Sequence, residues 1–214
     1  MTPQKLIILG TRTLAEEAAD FISDMPEYQV EGFAENENKK IVRNKLNGLP
    51  IIWFEELKQL TNTHMAICAL ATTTRSRFTT QVTEIGMEFA TIIHPSVFKS
   101  QTAIFGKGTL VAPKGVIGAH CKIGQHVWIG TGAIVGHHTE IGDHVTIQMG
   151  ANVAGVSKIG NSTYIGMGAN LIDHLNIGNH VVVGAGAAVV EDVPSRVLVA
   201  GVPAVIKKEN INGK

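Results

Sequence analysis

Histidine is the residue whose placement here invites chemistry. Seven of the nine histidines fall between His120 and His180. Imidazole titrates near neutrality, so each is a candidate general base or metal ligand. His137 and His138 are adjacent, in the run Ile134-Val-Gly-His-His-Thr-Glu-Ile-Gly-Asp-His144. His120, His138 and His174 are separated by multiples of eighteen, and so are His126, His144 and His180. Spacing that regular implies a repeating backbone, and what the histidines can do depends on it.

The repeat is six residues long. Steps of six from Phe105 meet Val111, Ile117, Ile123, Ile129, Val135, Ile141, Ile147, Val153, Ile159, Ile165, Leu171, Ile177, Val183 and Val189, fifteen apolar residues without a miss. Glycine follows in ten of the fifteen, which suits a tight corner, and small residues or Val stand two places before. A period of six is neither helical nor that of a hairpin. It fits a parallel β-helix with three short sides, in which both recurring positions of a strand point inward. Three hexads make a coil of 18 residues and the fifteen make five coils, so residue n lies under n+18 at roughly 4.8 Å.

Stacking turns spacing into geometry. His137 falls directly under Gly155, whose amide no side chain shields. A base and a backbone donor one coil apart form the pair that acyl transfer to an amine or hydroxyl requires. The base takes the nucleophile's proton, and the amide stabilises charge on the thioester oxygen. His120, His126, His174 and His180 need no such role, because outward positions of a β-helix are polar. A metal site is the rival use of so many histidines.

The elements before the rod differ in kind. Only 4 of the 23 glycines lie in residues 1–100, against 17 in 101–190, which puts a boundary at the His94-Pro95 step, with units 1–94 and 95–214. Strands are expected at Leu6–Leu9, Tyr28–Ala34, Leu49–Trp53, Met65–Ala71 and Phe89–Ile93, with a loop at 36–48. Helices are expected at Leu14–Ser23, capped by Thr13, and Arg75–Ile85. Alternation of this kind gives a small parallel α/β sheet, Rossmann-like, whose ligands sit beyond the strands' carboxyl ends. Those ends are Gly10, Glu35-Asn36 and Thr72-Thr73-Thr74. A docking domain without a ligand is the alternative reading.

Composition bounds the rest. The chain has 44% hydrophobic and 17% charged residues, and eighteen basic residues balance eighteen acidic ones. Neither nucleic acid nor an anionic membrane is an expected partner. Cys68 and Cys121 cannot build a disulfide framework, and the run Leu6–Leu9 is too short for a signal core or a span, so a cytoplasmic protein is expected.

With its hexapeptide rod, its nucleotide-fold first part, the Ile93-His94-Pro95 step and the closing Gly201-Val202-Pro203-Ala204, nearly the whole chain resembles the PglD/NeuD-type sugar acetyltransferases. The resemblance implies a left-handed rod, where the ordinary crossover rule would give the other hand. It implies a homotrimer using acetyl-CoA at subunit interfaces. The acceptor would be the amino group of a nucleotide-activated 4-amino-4,6-dideoxy sugar or, alternatively, a hydroxyl of a sialic-acid-like sugar. The family's catalytic histidine falls on His137 within Val135-Gly136-His137. The carboxylate that usually follows is replaced by His138, leaving Glu140 and Asp143 as further candidates to orient the base. Contacts to CoA fall on Thr146, Gly155, Met167, Ala185 and the Gly201–Ala204 segment, with Lys207 and Lys208 near its phosphates. The sugar-nucleotide turn reads Gly10-Thr11-Arg12-Thr13-Leu14, lacking two of the family's glycines, with Arg12 offering a charge instead. Glu35-Asn36 and Thr72 complete that set. The γ-class carbonic anhydrases hold zinc on the same kind of rod with histidines five apart. Here the separations are six, or seven from His137, and no metal is expected. A γ-class metal-dependent hydratase and a non-catalytic trimeric sensor are the remaining alternatives.

Overall fold

The structure, a computed structural model, describes residues 2–36 and 44–214. Its first part contains β1 (Gln4–Leu9), α1 (Thr13–Ser23), β2 (Tyr28–Glu35), β3 (Lys45–Leu46), β4 (Leu49–Trp53), β5 (His64–Cys68) and α2 (Ser76–Glu84). The sheet order is β3-β4-β2-β1-β5, parallel except for the β3–β4 hairpin. Central β1 is buried on both faces. Leu6 and Ile8 pack with Ala15, Ala18 and Ile22 of α1, whereas Ile7 and Leu9 pack with Phe78 and Val82 of α2. That two-sided burial is why β1 reads as an unbroken apolar run.

Several boundaries differ from expectation. Thr13 is the first helical residue, and the cap position is Arg12, which makes no side-chain capping bond. Part of the expected 36–48 loop is the β3–β4 hairpin, turned by Asn47 (φ 46°) and Gly48 (φ 79°). An Asn-Gly pair suits a turn that needs two positive φ angles. Residues 37–43 of that loop lie outside the described residues. The expected Phe89–Ile93 strand splits: Phe89 bridges Ala66 of the first sheet, and Ile92–Ile93 is the first strand of the rod.

The rod is a triangular parallel β-helix of two-residue strands. One face runs from Ile92–Ile93 through Leu110–Val111, Trp128–Ile129, Thr146–Ile147, Tyr164–Ile165 and Val182–Val183 to Leu198–Ala200. The second carries Phe98–Lys99 to Ala188–Val189, and the third Ile104–Phe105 to Asn176–Ile177. Partners are eighteen apart, as in Trp128 with Thr146, until the last coil, where Val182 pairs with Leu198 after only sixteen. The rod thus begins two hexads before Phe105, a start hidden by polar Lys99.

Both inward positions are buried: Ile117, Ile129, Val135 and Ile147, and also Cys121, Ala133, Thr139, Val145 and Ser157, are fully enclosed. The glycine after each aliphatic residue has a different cause from the one expected. It is not where the backbone turns left-handed, since positive φ falls two residues later, at Gly108, Lys114, His120, His126, Gly132, His138 and onward. Where glycine stands, the next coil presses on it: a Cβ on Gly136 would lie 2.5 Å from the Gly155 nitrogen.

The first rod face carries the N-terminal domain. Leu110, Ala112 and Trp128 share one apolar cluster with Leu6, Ile8 and Ile22, so the two parts fold as one packed body.

Candidate active site

Six of the seven rod histidines occupy the left-handed corner positions, with φ between 53° and 60°. Histidine is among the few non-glycine residues enriched in that conformation, so the turn itself accounts for them. His137 is the exception. It lies one residue earlier, on the edge between the second and third faces, and its ring is exposed. A Cβ on Gly155 would fall 2.9 Å from His137 Cε1 and 3.0 Å from Nε2, so the imidazole lies against the bare glycine of the next coil.

The Gly155 amide is open, as are those of Ala119, His137 and Asp173 stacked with it on the same edge. Along the neighbouring edge each comparable N–H is capped from the coil above: Gln125 by Asp143 Oδ1 (2.7 Å), Asp143 by Asn161 Oδ1 (2.8 Å) and Asn161 by Asn179 Oδ1 (2.7 Å). The amide of Gly155 has no acceptor among the described residues. An exposed base beside an unused donor can serve proton transfer and oxyanion stabilisation together. Gly155→Ala should push the His137 ring aside and lower kcat about 10–100-fold, the scale of a 1 Å misplacement. Steady-state kinetics with a parallel thermal melt checks this, and an unchanged kcat would show that the ring position is not used.

His137 Nδ1 lies 3.2 Å from His138 Nδ1. The other orienting candidates are engaged elsewhere. Glu140 pairs with Lys122 at 2.8 Å, which holds its carboxyl below the usual range, and Asp143 accepts from the Gln125 amide.

Thr146 is a correction. It is fully buried and accepts a hydrogen bond from Arg75 at 2.6 Å, so it presents no surface to a cofactor. Met167 and Ala185 do come together, in a cleft of about 480 Å³ with Tyr164, Leu198, Lys208, Ile211 and Lys214. Lys214 Nζ lies 4.2 Å over the Tyr164 ring, and its carbonyl accepts from the Thr73 amide. Gly201 and Lys207 are exposed outside this cleft, and Gly155 is on another edge. Sequence reasoning passed over Tyr164 and Ile211 because only the fold carries them to Met167.

In the N-terminal domain Gly10, Thr11, Arg12, Thr13, Glu35, Asn36 and Thr72 line one cleft of about 440 Å³ at the carboxyl ends of the strands. Thr11 donates to Glu35 Oε2 (2.7 Å), Glu35 Oε1 accepts from the Asn36 amide (2.9 Å), and Asn36 donates to Gln81 (2.7 Å). Arg12 is exposed at the mouth, at the start of α1. This domain sits on the first rod face, opposite the edge that carries His137, so one chain by itself keeps the cleft and the base apart.

His126 is not a surface residue as expected. It is only 8% exposed, stacks on His144 with ring centroids 5.1 Å apart, and meets Phe89 edge-on at 4.5 Å. Burial, then His144 and Arg75, push its pKa down to about 4, and His144 is lowered by burial and by Arg75. The unfolded chain therefore binds protons that the fold excludes. The stabilisation is complete above pH 6.5 and is lost as pH falls from 6.5 toward 4, up to about 3 kcal/mol from His126. Thermal melts should drop over that window, and His126→Asn, which tolerates the left-handed turn, should flatten the dependence.

Among the described residues no group of three or more His, Cys, Asp or Glu side chains is arranged to hold a metal ion. No helix among them is long and apolar enough to cross a membrane.

The family of bacterial transferase hexapeptide (six repeats) matches residues 120–155, the stretch that holds His137 and Gly155. No curated protein matches. Solved structures do. The acetyltransferase domain of PglB from Neisseria gonorrhoeae, in complex with acetyl coenzyme A, superposes with a TM-score of 0.88 at 28% identity, over 95% of this chain and 99% of that one. PerB from Caulobacter crescentus, in complex with CoA and GDP-perosamine, gives 0.88 at 26% identity, over 95% and 97%. WeeI from Acinetobacter baumannii gives 0.85 at 25%, over 95% and 99%.

The chain is an acyltransferase, and residues 120–155 of its rod match the hexapeptide repeat. Its similarity to these structures covers both the Rossmann-like part and the rod, so the acyltransferase has an α/β domain followed by a left-handed parallel β-helix.

Proposed function

We propose that this acyltransferase moves the acetyl group of acetyl-CoA onto the amino group of a nucleotide-activated amino sugar of the 4-amino-4,6-dideoxy type. One observation carries the mechanism: His137 is the single rod histidine that the turns do not explain, and its ring lies against Gly155, where no side chain intervenes. His137 Nε2 takes the proton of the attacking amine, and the Gly155 N–H stabilises the tetrahedral oxyanion. Support for the acceptor class comes from the full-length likeness to PerB, whose structure holds CoA and GDP-perosamine.

The working form is a homotrimer. The second rod face and its two edges leave apolar side chains in solvent, among them Phe98 (66% exposed), Ile134 (42%) and Met167 (52%), with Val156, Ile172 and Val190 further along the edge that carries His137. A second copy against this face would cover them and bring its Met167–Ala185 cleft toward His137, so that acetyl-CoA lies between subunits. The N-terminal cleft takes the nucleotide, with Arg12 and the start of α1 toward phosphate. Cys68 and Cys121, both free and buried, suit the cytoplasm.

Thiol release from acetyl-CoA over a panel of nucleotide amino sugars tests the reading. Turnover with an amino sugar nucleotide, giving a hydroxylamine-stable product, is expected. A hydroxylamine-labile product would turn it to O-acetylation, and no release with any acceptor would overturn it.

A further inference from the structure

We propose that His138 is the positioning and proton-relay partner of His137. This rests on the reading of His137 as the base. The two Nδ1 atoms are 3.2 Å apart, and such a contact requires one ring to donate and the other to accept. If His137 is to keep Nε2 free toward Gly155, its own proton sits on Nδ1, so His138 Nδ1 is the acceptor and His138 carries its proton on Nε2. The rings meet edge to face, with centroids 5.3 Å apart.

Among the described residues no other titratable side chain takes this role. Below His138 lies His120, ring centroids 4.8 Å apart and tilted by 43°. Above it, one coil on, is Val156, which carries no charge. Glu140 is turned to Lys122, Asp143 to the Gln125 amide, and Asp173 lies beside His174 at 3.7 Å. Both rings are exposed to water.

The reaction needs an outlet of this kind. An acceptor amine arrives at neutral pH as an ammonium ion, and ammonium plus thioester gives amide, thiol and one surplus proton. His137 Nε2 takes that proton, the Nδ1 proton of His137 passes to His138 Nδ1, and His138 releases its Nε2 proton to water. The freed amine then attacks, the C–N bond forms, the C–S bond breaks as His137 Nε2–H gives its proton to the leaving sulfur, and the emptied Nε2 takes the second amine proton. Exchange with water restores the starting tautomers.

The test compares His138→Gly and His138→Glu with the unaltered enzyme. Glycine occupies the equivalent left-handed position on the preceding edge at Gly132 and Gly150, so His138→Gly suits the turn. It should lower kcat about 10–100-fold, within the range of proton-transfer assistance, with KM for acetyl-CoA unchanged and turnover recovered by added imidazole. His138→Glu should recover turnover with the acid limb of the pH profile moved to higher pH, because a carboxylate holds the imidazolium more strongly. An unaltered kcat and pH profile in His138→Gly overturns the proposal, as does a loss that neither imidazole nor His138→Glu repairs. His137→Ala is the control. If it retains turnover, the base reading itself fails, whereas a dead His137→Ala beside an unaffected His138→Gly removes the relay alone.

Discussion

His137→Ala is expected to cut kcat about 10²–10⁴-fold, the usual contribution of a general base, or roughly 3–5 kcal/mol of barrier. The effect should be confined to the chemistry. The side chain is exposed and its backbone is not in the left-handed region, so alanine costs the fold little. The remaining rate comes from the Gly155 amide and from holding the two substrates together. Saturation with acetyl-CoA should be nearly unchanged, because the Met167–Ala185 cleft is on a different edge from His137. Turnover and acetyl-CoA KM measured on the same preparation decide the matter. Full turnover would remove His137 as the base and leave the architecture untouched.

Arg75→Ala should be the most damaging change to stability, by at least about 3 kcal/mol, and the melt should show it as a large fall in Tm. The guanidinium is 1% exposed and no carboxylate is among its hydrogen-bond partners. Its partners are carbonyls from both halves of the molecule: His126 at 2.9 Å and Val145 from the rod, Leu70 at 3.2 Å and Thr72 at 2.7 Å from the N-terminal domain, with Thr146 Oγ1 as well. Burial lowers its pKa to about 10, which still leaves it charged at neutrality. Alanine would leave these oxygens without their donor in a closed interface, and a buried unpaired polar group is costly. Arg75→Lys should fall between the two, since an ammonium lacks the flat fork that reaches several carbonyls at once. A wild-type Tm for Arg75→Ala would mean that the two parts do not depend on this contact.

Arg75 also shows where sequence reading stops. It stood inside an expected helix as one of many charged residues. Only the docking of that segment onto the rod enclosed it, and the same docking buried His126, depressed its pKa and withdrew Thr146 from any cofactor. Lys99 hid the first coil for a related reason: at the open end of the rod no neighbouring coil demands an apolar residue. The Asn47-Gly48 hairpin, by contrast, was present in the sequence as a turn signal and was passed over as loop.

What the sequence determined alone was the rod. A strict repeat of six leaves each coil one way to bury its aliphatic residues, so periodicity becomes register and His137 must lie under Gly155. The N-terminal sheet was legible as well, because alternation of short apolar strands with amphipathic helices is a local pattern. What only the tertiary structure decided was which residues face one another across elements distant in the chain. It set the enclosure of Arg75 between the two parts, the cleft joining Tyr164 to Ile211, and the separation of the N-terminal cleft from the base. Those relations depend on how the domain is seated on the rod and on side-chain directions at its edges, and neither leaves a period in the sequence.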